Sequence, residues 1–215
     1  MEQQPDLPEL LYISDPLCAW CYGMSPVIQR VQQEFAGRVE VSVLCGGMIT
    51  GEQVEPIREQ WPVLSGALGQ VQQVTGVEFG PAFRALGQEG SYVLNSELPC
   101  RAIHAFRQLR QANAAQFAHE VQQAYFRDGT DLNNPATYAP LVAAYGLDAA
   151  DFQERLQSRE VIRGTILEFA AVGKIGVHGF PTVVLRVGSQ GYVLARGYQP
   201  YPAFSSALEQ ALLEA

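Results

Sequence analysis

The sequence predicts a mixed α/β fold: one small sheet flanked by helices, in the order βαβ…ββα, interrupted by a large all-helical insertion. Three observations predict it. Runs of strand-forming residues lie only near the two ends of the chain, at 10–15, 39–47, 182–187 and 192–196. Between them, apolar residues recur every three or four positions, the spacing of a helix face. The chain has 215 residues, 47% hydrophobic and 17% charged. That suits one domain carrying an insertion, with a core that needs neither disulfides nor metals.

Each element has its own signal. LLYISD (10–15) is a short apolar strand ended by Asp15-Pro16. A helix follows from about Leu17 to Phe35, with Val27, Ile28, Val31 and Phe35 on one face, and Pro26 inside it predicts a kink. VEVSVLCGG (39–47) alternates and stops at Gly46-Gly47, a second strand. These three make a βαβ unit.

From Gly51 to Gly173 the texture is helical, without a convincing strand. Leu64, Ala67, Leu68 and Val71 share one face; so do Phe117, Val121, Ala124 and Tyr125, and again Tyr138, Leu141, Val142 and Tyr145. Asn134-Pro135 and Asp148 read as helix starts. Ile162, Ile166 and Phe169 mark the last of these helices. TVVLRV (182–187), a glycine-bounded turn and YVLAR (192–196) form a hairpin. The closing helix carries Phe204, Leu208, Ala211 and Leu212 on one face. The division is therefore 1–50 with 175–215 as the sheet domain, and 51–174 as the insertion.

Charge narrows the partners. The net charge is −8 and Lys174 is the only lysine. Phosphate neutralisation needs a basic patch, so neither nucleic acid nor an anionic membrane surface is an expected partner. No apolar run reaches the 18 residues of a membrane span. MEQQPDLPEL has no basic start, apolar stretch or cleavage site, so the expected location is the cytoplasm, where Cys-x-x-Cys is more often redox or metal chemistry than a structural staple.

SDPLCAWCYG (14–23) holds two of the four cysteines. Cys18 stands where a strand-ending turn meets a helix start. Free N–H groups and a partial positive charge at that point favour thiolate, the attacking species. Cys21 is one helical turn further in, within disulfide reach and less exposed. Cys18 attacks, and Cys21 resolves the mixed disulfide. A zinc site needs four ligands, and only Cys45, Cys100, His104, His119 and His178 remain, without a second paired motif, so no metal is expected. A c-type haem needs histidine directly after the second cysteine, where Tyr22 stands.

SDPLCAWCYG, together with GVHGFPT (176–182), resembles the DsbA family of thioredoxin-fold thiol–disulfide oxidoreductases, and within it a cytoplasmic branch of protein-disulfide isomerase type. The resemblance covers most of the chain. It implies a thioredoxin-like sheet, a cis Pro181 opening the strand beside the cysteine pair, and Phe180 offering its backbone to an extended substrate. It implies no bound cofactor, with glutathione or another thiol as redox partner and protein or small-molecule disulfides as substrates. The chain departs from the best-known members in its dipeptide, Ala19-Trp20 in place of Pro-His, and in Phe180 where a smaller β-branched residue is usual. Their strongly oxidising character is therefore not carried over.

Other residues admit paired readings. Trp20 lies exposed beside Cys18 as a substrate contact, or packs under the insertion. Asp15 and Pro16 make the turn, with Asp15 capping the active-site helix or serving the turn alone. Tyr22 faces a lid or the core. His178 either tunes the sulfurs or is a polar loop residue. Cys100 and His104, four apart, could form a reactive thiol pair, and Cys45 could approach the active site, pair with Cys100, or be buried. Two other functions fit the architecture. One is a glutathione-dependent isomerase or transferase, of the kappa-class or 2-hydroxychromene-2-carboxylate isomerase type, which does not need Cys21. The other is a holdase-like binding module with incidental cysteines. Oligomeric state leaves no signal in the sequence.

Overall fold

The computed structural model describes residues 7–214; residues 1–6, on which most of the reading of the N-terminus rests, and residue 215 lie outside the described residues. Strand β1 (Glu9–Ser14), helix α1 (Ala19–Glu34) and strand β2 (Glu40–Cys45) form the expected opening unit. Strands β5 (Thr182–Val187) and β6 (Gln190–Arg196) and helix α9 (Tyr201–Glu214) close the chain. The four strands join in one sheet of order β2-β1-β5-β6, with β1 parallel to β2 and antiparallel to β5.

Both faces of this sheet are apolar, so both need cover. Leu10, Tyr12, Val41, Val43, Val183 and Leu185 face the main core with α1 and α9. Ile13 and Val184 face a smaller cluster that includes Val172 and Val177. The register of β1 against β5 matters most for function. Ile13 pairs with Thr182, which sets residues 15–18 beside residues 178–181 across 162 positions of sequence.

Between the halves lie α2 (Ile57–Thr75), α3 (Pro81–Glu89), α4 (Glu97–Leu109), α5 (Ala114–Phe126), α6 (Tyr138–Ala143), α7 (Ala149–Gln157) and α8 (Arg159–Lys174). The expected caps are present. The Asn134 side chain accepts from the Ala136 N–H, and that of Asp148 from the N–H groups of Ala150 and Asp151. Two expectations are corrected. The segment is not strand-free: β3 (Glu55–Pro56) pairs antiparallel with β4 (Val93–Leu94), a ladder too short to leave an alternating pattern. The inward face of α8 is Val161, Thr165, Glu168 and Val172, while Ile166 is 57% exposed. The apolar spacing misled because a buried glutamate occupies the inward position.

Pro26 sits on the solvent side of α1 and the helix continues through it. A proline cannot donate to the carbonyl four residues back. Here the Ser25 hydroxyl donates to that Tyr22 carbonyl at 2.9 Å, and the Ser25 oxygen also meets His119 Nδ1 of α5 at 2.6 Å.

The helical segment also covers the outer edge of β2, whose backbone groups would otherwise be unpaired. Arg107 of α4 donates to the Val43 carbonyl, and Glu168 of α8 accepts from the Cys45 N–H at 2.6 Å. Arg107 and His104 both bond Glu168, the histidine at 2.9 Å. Burial by itself raises the Glu168 pKa, but His104, Arg107 and the Cys45 N–H outweigh it and hold the carboxyl below its usual range.

This cluster predicts a stability defect and a pH dependence. Glu168→Gln leaves the buried Arg107 guanidinium without its counter-charge and should cost about 3 kcal/mol in denaturant unfolding. The folded-state pKa is depressed, so the stabilisation is present above the unfolded value and is lost as pH falls through the folded one. The variant should lack that acid-side loss. Equal unfolding midpoints for the two proteins at neutral pH would refute the assignment.

Candidate active site

The site is built at the C-terminal end of β1. Asp15 and Pro16 begin a tight turn closed by the Cys18 N–H donating to the Asp15 carbonyl at 3.2 Å. Proline suits the second position of such a turn because its φ is already set. Cys18 is then the N-cap of α1, and its sulfur accepts from the Cys21 N–H at 3.1 Å. A sulfur thus takes the place a Ser or Asp oxygen usually fills at a helix start.

From across the sheet, the Phe180 carbonyl lies 3.6 Å from Cys18 Sγ, and the Phe180–Pro181 peptide is cis. Cys18 is only 6% exposed and Cys21 is fully buried. The expectation of a surface thiol is therefore corrected in degree: Cys18 is nearly buried, at the start of α1 and against the proline loop. Both cysteines are free thiols. Burial pushes the Cys21 thiol well up, and its hydrogen bond with Cys18 and the charge there push it further.

Asp15 does not cap α1, contrary to one reading. It is fully buried, and its carboxylate accepts from the Leu17 N–H at 3.0 Å, the Met48 N–H at 2.7 Å, the Ser96 hydroxyl at 2.9 Å and the Cys100 thiol at 3.6 Å. Burial raises its pKa, and those hydrogen bonds oppose the rise. Its backbone carbonyl also accepts from the buried Gln122 of α5 at 3.3 Å. Ser96, Met48 and Gln122 are ordinary polar or apolar residues in the sequence, far apart along the chain, and carry no motif.

Trp20 is partly buried, packs against the main core and tilts against Tyr198, with ring centroids 6.5 Å apart, so it does not stand free in solvent. Tyr22 belongs to the core, stacked between Phe126 and His119, with its hydroxyl directed at the Glu78 carbonyl at 3.5 Å. Pro16 is buried in the turn. His178 is exposed, and no hydrogen bond among the described residues joins it to either sulfur. His104 turns to Glu168 and not to Cys100, which removes the Cys–His reading. Cys100 instead neighbours Cys45, whose sulfur lies 3.8 Å from the Cys100 carbonyl.

Beside the cis-proline loop runs a groove of about 390 Å³ lined by Gly46, Met48, Gln53, Phe169, His178 and Phe180, among others. Gly46 is what lets the Phe180 ring lie down: a Cβ there would sit 1.9 Å from its Cζ. Gly47 has φ +66°, and a Cβ on it would meet the Phe169 ring at 2.8 Å. The Gly46-Gly47 pair, legible in the sequence only as a strand end, is a seat for two aromatic rings.

Comparison with known proteins places these features. A DSBA-like thioredoxin domain matches residues 10–209. A crystal structure of a proposed protein disulfide isomerase from Nitrosomonas europaea superposes with a TM-score of 0.87, at 26% identity over 97% of this chain and 99% of that one. The cytosolic disulfide reductase DsbM from Pseudomonas aeruginosa, also solved with GSH, gives 0.81 at 27% identity over 96% and 100%. The ClpXP adapter protein SpxH of Halalkalibacterium halodurans is 22% identical over 95% of this chain and 67% of its own length. With the family match spanning nearly the whole chain and the sheet order, the helix-capping cysteine and the cis proline in place, the chain belongs to the DSBA-like thioredoxin family.

Proposed function

We propose that this protein is a thiol–disulfide oxidoreductase working in the reducing direction, with Cys18 as the attacking sulfur and Cys21 as the resolving one. The observation that carries this reading is the placement of Cys18 Sγ between the Cys21 N–H and the Phe180 carbonyl, with the Cys21 thiol buried behind it.

The steps follow from that geometry. The Cys18 thiolate attacks a substrate disulfide; one S–S bond breaks, a Cys18 mixed disulfide forms, and one thiol departs. Two of the influences that raise the Cys21 pKa come from Cys18. Both end when the Cys18 sulfur is consumed in the mixed disulfide, so Cys21 ionises more readily when it is needed. The Cys21 thiolate then attacks Cys18 Sγ and releases the second thiol. The substrate has gained two electrons, and the protein holds the Cys18–Cys21 disulfide.

Direction is argued from what stabilises the reduced pair. A strongly oxidising couple is one whose thiolate form is stabilised. Here Cys18 Sγ has one backbone N–H donor, and the dipeptide Ala19-Trp20 supplies no charge. DsbM is described as a reductase and has been solved with GSH. On that basis glutathione is the recycling thiol here, the compartment is the cytosol, no bound cofactor takes part, and protein or small-molecule disulfides are the substrates. Phe180 and Pro181 seat the substrate backbone, the Gly46–Phe169 groove takes an apolar substrate side chain, and Trp20, two residues after Cys18, offers a further apolar contact. An isomerase of the glutathione-dependent type has no use for a resolving sulfur; Cys21 favours the redox reading.

Equilibration of the pair in glutathione buffers tests the direction: the midpoint should lie nearer about −270 mV than about −120 mV. A value at the oxidising end would overturn the reductase assignment. Cys21→Ser should accumulate a Cys18 mixed disulfide with a glutathionylated peptide, and Cys18→Ser should form none. In the wild type, release from that adduct should quicken by about tenfold per pH unit while Cys21 is mostly protonated, because thiolate is the reactive form. A release rate flat between pH 6 and pH 8 would exclude Cys21 as the resolving group. Gly46→Ala should lift the Phe180 ring from its seat and reduce kcat/KM for apolar peptide disulfides by about tenfold, close to 1.4 kcal/mol. Its thermal midpoint should stay near the wild-type value, because the ring can swing into the groove. Unchanged kcat/KM would remove the groove from the binding site.

A further inference from the structure

Two further cysteines lie together beneath the active site. Cys45 ends β2 in register with Ser14, and Cys100 lies in the first turn of α4. Both are fully buried, and they come from opposite sides of the junction between sheet and helical segment. Cys45 Sγ is 3.8 Å from the Cys100 carbonyl, which sets the two residues side by side. Cys100 also directs its S–H at Asp15 Oδ2, 3.6 Å away. Asp15 in turn holds the N–H groups of Leu17, in the active-site turn, and Met48, on the groove. The proposed catalytic cycle uses neither Cys45 nor Cys100.

We propose that Cys45 and Cys100 are a second oxidisable pair, closed into a disulfide by small peroxides, and that closure withdraws the Cys100 S–H from Asp15 and so reports to the active site. Hydrogen peroxide is of water size, which suits a site with no surface opening. The Cys45 thiolate attacks one peroxide oxygen; the O–O bond breaks, leaving a sulfenic acid on Cys45 and releasing hydroxide, which takes up the Cys45 proton as water. The Cys100 sulfur attacks the Cys45 sulfur; the S–S bond forms, the S–O bond breaks, and water leaves with the Cys100 proton. Two thiols and one peroxide become one disulfide and two waters.

The two sulfurs are not equivalent. Contact with Cys100 lowers the Cys45 pKa, although burial and Glu168 carry it above the usual value in the end. Burial, followed by Cys45, pushes Cys100 well up. Cys45 is therefore the attacker and Cys100 the partner. Scarce thiolate also makes the reaction slow, so the pair answers sustained oxidant and not the disulfide traffic at Cys18.

The first experiment removes the catalytic pair, so its outcome does not depend on the reading of Cys18 and Cys21. Cys18→Ala/Cys21→Ala retains only Cys45 and Cys100 of the four cysteines. Folded protein is incubated with hydrogen peroxide, quenched, denatured in an alkylating agent and digested. The expected result is loss of both alkylation sites in a monomer and recovery of one peptide linking residues 45 and 100. Full alkylation of both, or separate sulfinic acids without a link, would overturn the proposal. If that variant fails to fold, peptide mapping of the wild type after the same treatment decides on the same criterion. The second experiment reads the coupling. Cys100→Ser keeps a donor for Asp15 but cannot close. After peroxide and then reduced glutathione, the wild type should recover a several-fold lower turnover than Cys100→Ser does. Equal recovery would refute the link through Asp15.

Discussion

Asp15 is a carboxylate with no access to water, and its donors come from three parts of the chain. Leu17 belongs to the turn that delivers Cys18, Met48 to the loop after β2, and Ser96 and Cys100 to the start of α4. A buried carboxylate is costly unless each oxygen finds donors. Here the cost is offset only when sheet, loop and helical segment all sit where they do. The active-site turn is therefore not a local structure resting on β1. Its shape depends on the docking of residues about eighty positions away.

The cysteine pair inherits its asymmetry from that arrangement. The turn leaves Cys18 as the cap of α1, facing the Phe180 carbonyl, while the helix carries Cys21 inward against the Tyr12 side, where the Tyr12 hydroxyl donates to the Cys21 carbonyl at 2.8 Å. Nothing in the side chains distinguishes one cysteine from the other. One helical turn of depth does, through burial and through the single N–H donor at the helix start.

The helical segment does more than cover the sheet. Arg107 and Glu168 complete the open edge of β2, and Ser96, Cys100 and Gln122 complete the region beneath the cysteines. Phe169 shares the groove with Phe180. The helical segment thus supplies one wall of the groove and part of the support of the turn. The DSBA-like family match, which runs across both sheet halves and the helices, is consistent with the whole acting as one unit.

The sequence by itself determined the βαβ and ββα halves, the helical interior, the Asn134 and Asp148 caps and the two motifs that meet where Cys18 faces Phe180. These are local signals: period, turn chemistry and a cysteine spacing that one helical turn makes meaningful. What only the tertiary structure decided is which polar residues are buried and with whom. Glu168 carried no signal in the sequence and is the inward position of α8; Asp15, readable as a cap or as a turn residue alone, is a hub; His104, which could have paired with Cys100, bonds Glu168. The two-residue strands β3 and β4 were too short for alternation to register. The reason is common to all of them. A buried polar group is stabilised by partners distant in sequence, and no period or motif in one segment encodes the position of a donor in another.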